Sequence, residues 1–128
     1  MSQHDKLQAE AHMYLWNSFP ELRQLAHSNF NDIKVVESVL RAATGQSIGN
    51  ARAIIISKLK AIGLVKGVFD HELLYRGQLY FFDTKILPDT LSPEQLTFKK
   101  VNESHGAQCF TYSTIEEFKE IINTILKP

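Results

Sequence analysis

The sequence predicts an α/β fold, a mixed central sheet flanked by helices, and three observations carry that prediction. Arg76-Gly77 separates two strand-like runs at the spacing of a two-residue β-hairpin. Leu79-Tyr80-Phe81-Phe82 is apolar at consecutive positions, the pattern of a strand buried on both faces. Leu91-Ser92-Pro93-Glu94-Gln95 marks a helix start, and an apolar alternating segment follows it at 107–112. A strand, a crossover helix and a returning strand make a parallel unit beside the antiparallel hairpin, so the sheet is mixed.

The elements follow in order. The first helix covers about residues 5–18, with Leu7, Ala11, Tyr14 and Leu15 as its buried stripe, Glu10 at the stripe's edge and Pro20 just beyond its end. A second helix starts at Asn31 or Asp32 and reaches Ala43, turning Ile33, Val36, Val39 and Leu40 inward ahead of Gly45. A third runs over about 49–62, with Ile55, Leu59 and Ile62 inward and Gly63 closing it. Strands are expected at about 65–75, 78–87 and 107–112. Ser92 caps the intervening helix, with Pro93 in its first turn and Gln95 completing a capping box, and Gly106 ends it. Thr114 and Glu117 form a second capping box ahead of a last helix carrying Ile115, Phe118, Ile121, Ile122 and Ile125.

At 128 residues the chain reads as one domain, large enough to bury roughly two thirds of its unfolded surface. It has no apolar run long enough to span a membrane and no secretory leader at its start, which predicts a soluble, cytoplasmic protein. Cys109, the only cysteine, lies in an apolar alternating segment and reads as a core thiol. The five histidines lack zinc-like spacing. Net charge is zero, yet residues 51–100 carry eight basic side chains against five acidic ones, enough for a local phosphate-facing groove.

The hairpin brings chemistry together. With Tyr75 opposite Gln78, the register sets Asp70 opposite Asp83, and alternation puts Lys85 on the same face while Thr84 points away. An Asp-x-Lys triplet alone is most often a solvated strand face. Here it ends an apolar strand, where charges need partners or a metal. Two aspartates that close repel unless a cation or proton lies between them, and a hard divalent ion beside a lysine suits phosphodiester hydrolysis.

Helix with Glu10, then Gly67-Val68-Phe69-Asp70, then Asp83-Thr84-Lys85, then Gln95 on the next helix: in this order the chain resembles the PD-(D/E)XK nuclease superfamily. Lys58-Leu59-Lys60-Ala61-Ile62-Gly63-Leu64-Val65-Lys66-Gly67 ahead of Asp70, Phe81-Phe82-Asp83-Thr84-Lys85, Leu91-Ser92-Pro93-Glu94-Gln95 and Gly106 before the closing strand look most like its virus-type replication-repair (VRR-NUC) family. The resemblance spans about residues 5–125 and implies a PD-(D/E)XK restriction-endonuclease-like core. It further implies that Asp70 and Asp83, with the Thr84 backbone carbonyl and Glu10, bind Mg²⁺ or Mn²⁺. Lys85 would orient the attacking water, and Gln95 would reach substrate or metal shell. Glu21 is the alternative to Glu10. Phe69 stands where the family often has proline and Asp83 where it often has glutamate; Asn29 resembles a polar position near the site.

The function implied is a metal-dependent DNA endonuclease acting on branched DNA such as four-way junctions, as a homodimer. Lys58, Lys60, Lys66, Lys99 and Lys100 would line the DNA path, and the apolar excess within residues 30–50, Ile33, Val35, Val36, Val39, Leu40 and Ile48, would supply the dimer surface. The alternatives are an antibacterial DNA-degrading toxin domain neutralised by an immunity protein, a decayed nucleic-acid-binding module, and a restriction-type or exonuclease enzyme on the same core.

Overall fold

The computed structural model describes residues 2–29, 34–49 and 51–128, with the side chains of 34 and 35 outside the description. The chain forms two compact units, Met1–Asn29 with Gly67–Pro128, and Phe30–Lys66.

The larger unit is α/β. Its sheet has the order β1-β2-β3-β4, formed by β1 (Ala26–Ser28), β2 (His71–Tyr75), β3 (Gln78–Thr84) and β4 (Gln108–Tyr112). β1 and β2 pair antiparallel, as do β2 and β3, whereas β3 and β4 are parallel, so the sheet is mixed as the crossover required. Arg76 and Gly77 both take positive φ, 49° and 78°, the conformation of the type I′ turn that fits the twist of a hairpin. The register follows, with Tyr75 opposite Gln78 and His71 opposite Phe82.

Helices cover both faces. On one, α1 (Gln3–Ser18) and α5 (Ile115–Ile125) pack Leu7, Ala11, Leu15, Phe118 and Ile122 against Leu73, Phe82 and Tyr112. On the other lies α4 (Pro93–Ser104), whose Phe98 stacks on Phe69 and meets Phe81 edge-on. β3 is thus lined on both sides by its consecutive apolar residues, as Leu79 to Phe82 predicted.

Local signals set the helix ends. Ser2 caps α1 by accepting the Asp5 N–H, so the helix begins at Gln3, two residues before the expected start. The Ser92–Gln95 capping box is complete. The second box is only half formed: Thr114 accepts the Glu117 N–H, but the Glu117 carboxylate accepts from Ser113 instead of the cap itself. α4 closes with Ala107 N–H on Asn102 C=O and Gly106 N–H on Glu103 C=O, the paired bonds of a Schellman stop.

Three strand expectations change. The run 65–75 is strand only from His71, because Gly67 at φ 91° and a bend at Asp70 interrupt it. β3 ends at Thr84: β2 stops pairing with it at Phe82, and Lys85 N–H on Tyr112 C=O closes the ladder after its last pair with β4, Thr84 opposite Tyr112. β1 is an addition to the expected strands: three residues, Ala26-His27-Ser28, are too few to show alternation. Gly67 has a second reason to be glycine. A Cβ there would lie 2.5 Å from the Glu94 backbone at the start of α4. Gly67→Ala is expected to destabilise the protein by about 2 kcal/mol or more, through strain and displacement of α4; chemical denaturation measures it, and a loss below about 0.5 kcal/mol would show that α4 does not rest on this residue.

The smaller unit holds α2 (Lys34–Thr44) and α3 (Ala51–Ala61). The expected start of α2 at Asn31 or Asp32, Ile33 and the Val35 side chain lie outside the description. Val36 and Val39, expected inward, are exposed, Val39 by 63%. On α3, Ile55 and Leu59 are half-buried as expected, but Ile62 is 82% exposed. The helix has ended by then: Leu64 N–H on Leu59 C=O and Gly63 N–H on Lys60 C=O place Ile62 in the stop itself. Among the described residues no helix is long and apolar enough to cross a membrane.

Candidate active site

The hairpin register, continued one step past His71 and Phe82, brings Asp70 to Asp83. Both are buried, at 5% and 1% exposure. They interlock through each other's backbone: Asp83 Oδ1 accepts the Asp70 N–H at 3.2 Å, and Asp70 Oδ2 accepts the Thr84 N–H at 2.8 Å. Asn29 fixes the other side of this segment, its N–H on the Asp70 carbonyl at 2.7 Å and its Nδ2 on the Phe69 carbonyl at 3.0 Å. Asn29 therefore sits beside the site and holds its backbone. Burial, reinforced by the Asp70 charge and opposed by Lys85, pushes the Asp83 carboxyl up to about 6.

Lys85 follows on the same face. Its Nζ is 2.9 Å from Asp83 Oδ2 and donates to Gln95 Oε1 at 2.8 Å. Gln95 Oε1 also accepts the Ser92 N–H at 3.0 Å, and because that group can only donate, the amide oxygen faces it and Nε2 is left to donate to Asp83 Oδ2 at 3.0 Å. The cap and the hydrogen bonds to Lys85 and Asp83 are thus made by one side chain. The helix start that orders α4 also fixes the amide between Lys85 and Asp83.

From α1 the residue that reaches the pair is His4, with Nε2 3.2 Å from Asp70 Oδ2 and Nδ1 3.5 Å from Asp5 Oδ1. The hydrogen bond to Asp70 raises the His4 pKa above its ordinary value, against a smaller opposing effect of burial. His4 extends the buried stripe of Leu7, Ala11 and Leu15 by one turn. Glu10 lies six residues later, about 240° around the helix axis, and is exposed. Glu21, in a 3₁₀ turn over Pro20–Leu22, is exposed as well. Among the described residues no three His, Cys, Asp or Glu side chains form a ready-made metal cage.

A buried hydrogen-bond chain underlies the site. Thr84 Oγ1 donates to the Tyr112 hydroxyl at 2.6 Å, which in turn lies 2.9 Å from His71 Nε2. With its proton directed at His71, the phenol makes His71 a neutral acceptor, and burial pushes the His71 pKa down to about 4. Thr84, pointing away from Lys85 as alternation predicted, is held by this chain while its backbone faces Asp70. In an extended strand the N–H and C=O of one residue emerge on the same side, which turns the Thr84 carbonyl toward the same region.

Lys99 stands one turn beyond Gln95 on α4, half-buried, and Lys100 is exposed next to it. Lys58 and Lys60 are exposed on α3 and Lys66 is exposed after it, all in the smaller unit. Cys109 is buried beside Phe69 and Phe81, and its thiol is pushed up to about 11 by that burial, as a core thiol is. His4 and the Thr84–Tyr112–His71 chain escaped sequence reasoning. The one signal for His4 was its place three residues before Leu7 on the apolar stripe.

No family model, no curated protein and no solved structure matches this chain.

Proposed function

We propose that the chain is a metal-dependent deoxyribonuclease built on a PD-(D/E)XK core of the VRR-NUC kind, hydrolysing phosphodiester bonds in branched DNA such as four-way junctions as a two-fold homodimer. The observation that carries it is the meeting of two buried aspartates, Lys85 and Gln95 at the C-terminal end of β3.

The donor set fits a hard divalent ion. Asp70 and Asp83 offer carboxylate oxygens and Thr84 a backbone carbonyl, the ligands that Mg²⁺ and Mn²⁺ prefer. The raised Asp83 pKa is the mark of a buried carboxylate crowded by a second one, a burden that Lys85 offsets in part and a divalent cation relieves. Bound there, Mg²⁺ or Mn²⁺ supplies Lewis acidity toward a phosphate oxygen and the attacking water.

The chain's own residues do the rest. Lys85, held by Asp83 and Gln95, presents a cationic donor where charge develops on the phosphate and orients the water for in-line attack. Gln95 keeps that ammonium and the Asp83 carboxylate in one geometry. Lys99 and Lys100 extend positive charge along α4. Exposed Val36, Val39, Ile54, Ile62 and Val65 support a self-complementary apolar contact, which gives two active sites related by symmetry, as paired cuts in a junction require.

The test is cleavage of a four-way junction, a matched linear duplex and single-stranded DNA with Mg²⁺, with Mn²⁺ and with excess EDTA, alongside light scattering. Cation-dependent cleavage that favours the junction, from a dimer, is expected. Undiminished cleavage in EDTA overturns the metal mechanism. A strict monomer at micromolar concentration, or equal rates on junction and duplex, overturns the branched-substrate part alone.

A further inference from the structure

We propose that His4 Nε2 is a ligand of the divalent cation, the contribution of α1 to the site, and that it tilts the site toward Mn²⁺ over Mg²⁺; this rests on the metal-nuclease reading above.

Two ligands about 2.1 Å from one ion and at right angles to each other lie about 3.0 Å apart. His4 Nε2 and Asp70 Oδ2 are separated by 3.2 Å, so a cation bound by Asp70 on this side comes within reach of the imidazole with little movement. The ring is also set for the task. Nε2 carries the proton of its hydrogen bond to Asp70, and a cation binding there displaces that proton to solvent, leaving the N–H on Nδ1, which faces the Asp5 carboxylate at 3.5 Å, the kind of partner to which a metal-ligating histidine commonly directs its other nitrogen. The backbone under it is anchored by the Ser2 cap, whose hydroxyl accepts the Asp5 N–H. Glu10, the acid that the resemblance assigned to the metal from α1, faces away from the stripe on which His4 lies.

Chemistry then sets the preference. Asp70, Asp83 and the Thr84 carbonyl are oxygen donors that serve Mg²⁺ and Mn²⁺ alike. Imidazole nitrogen adds affinity for a first-row transition ion, whereas Mg²⁺ keeps to oxygen and retains its waters.

The experiment titrates the metal-free chain with Mn²⁺, following the free ion by electron paramagnetic resonance and ligand nitrogen by its pulsed hyperfine signal. Expected is one site lost in Asp83→Ala, with a directly bound nitrogen that disappears in His4→Ala and persists in Glu10→Ala. His4→Ala is also expected to weaken Mn²⁺ by about tenfold or more and Mg²⁺ by less than about threefold. Affinity alone would fall in the same way if His4 merely oriented Asp70, so the nitrogen coupling decides. Mn²⁺ held at an Asp83-dependent site without nitrogen coupling, or with coupling that survives His4→Ala, overturns the role of His4 and leaves the nuclease reading standing. Absence of any Asp83-dependent Mn²⁺ binding overturns both.

Discussion

Asp83→Asn is expected to lower cleavage by at least about 10³-fold, the loss that follows when about 4 kcal/mol of transition-state stabilisation is removed. The same substitution is expected to change the pH dependence of stability in a fixed direction. Asp83 titrates near 6 in the folded protein against an ordinary 3.8, so the folded state binds more protons between those values. A carboxyl raised in this way costs nothing below its unfolded pKa and costs most above its folded one. Wild-type stability therefore loses this contribution as pH rises from about 4 to about 6, by on the order of 3 kcal/mol for a shift of about two units. The amide that replaces the carboxyl does not titrate. It also meets the donors of Lys85 and Gln95, a cost that is nearly constant with pH. The stability of the variant minus that of wild type should thus climb across pH 4–6 and level off above it.

His71 pulls the other way but cancels in that difference. Its folded pKa of about 4 lies below the ordinary 6.5, so protonation of the unfolded state removes stability from both proteins as pH falls through this window. Denaturation in EDTA at pH 4.5, 6 and 8 measures the difference. A difference that stays flat or falls with pH would show that Asp83 is not held as a strained buried charge.

Lys85→Ala is expected to cost cleavage about 10²–10³-fold while leaving the cation bound. Lys85 Nζ and a metal compete for the electron density of Asp83 Oδ2, so removing the ammonium should hold Mn²⁺ affinity constant or raise it. On the role proposed for Lys85, acting on charge that develops in the transition state, the loss should appear in kcat with little change in KM. The substitution also removes the cationic partner that holds the Asp83 pKa down, so that carboxyl should titrate above its wild-type value of about 6. Single-turnover cleavage with a parallel Mn²⁺ titration separates the two effects. A wild-type rate would reduce Lys85 to a structural counter-ion. Loss of metal binding would make it part of the ligand framework instead.

Much of the fold rested on short-range rules that act within a few residues. Arg76-Gly77 sets a hairpin register, and a period of two carries it unchanged to Asp70 and Asp83, so the acid pair was legible from the turn alone. Ser92 with Gln95, and Gly63 and Gly106 at their helix ends, are equally local, and each appears where its chemistry puts it. Apolar periodicity was less dependable in the smaller unit. It identified α2 and α3, but a stripe states only that a face is apolar, and Val39 and Ile62 remain exposed.

By itself, then, the sequence determined the helix ends marked by Gly63, by Ser92 with Gln95 and by Gly106, the mixed sheet, the hairpin register and the juxtaposition of Asp70, Asp83 and Lys85. Each of these follows from bonds and alternation between near neighbours. Only the tertiary structure brought His4 to Asp70: the apolar stripe marked the inward face of α1, but not which position along it reaches the acid pair. It also decided that β1 forms, because three residues become a strand only when β2 offers them an edge. And it brought the Gln95 amide that caps α4 to Lys85 and Asp83 as well, a meeting made only once α4 packs against Gly67 and the end of β3. These outcomes depend on contacts between residues as far apart as 4 and 70 or 28 and 71, and no rule of local spacing reaches across such separations.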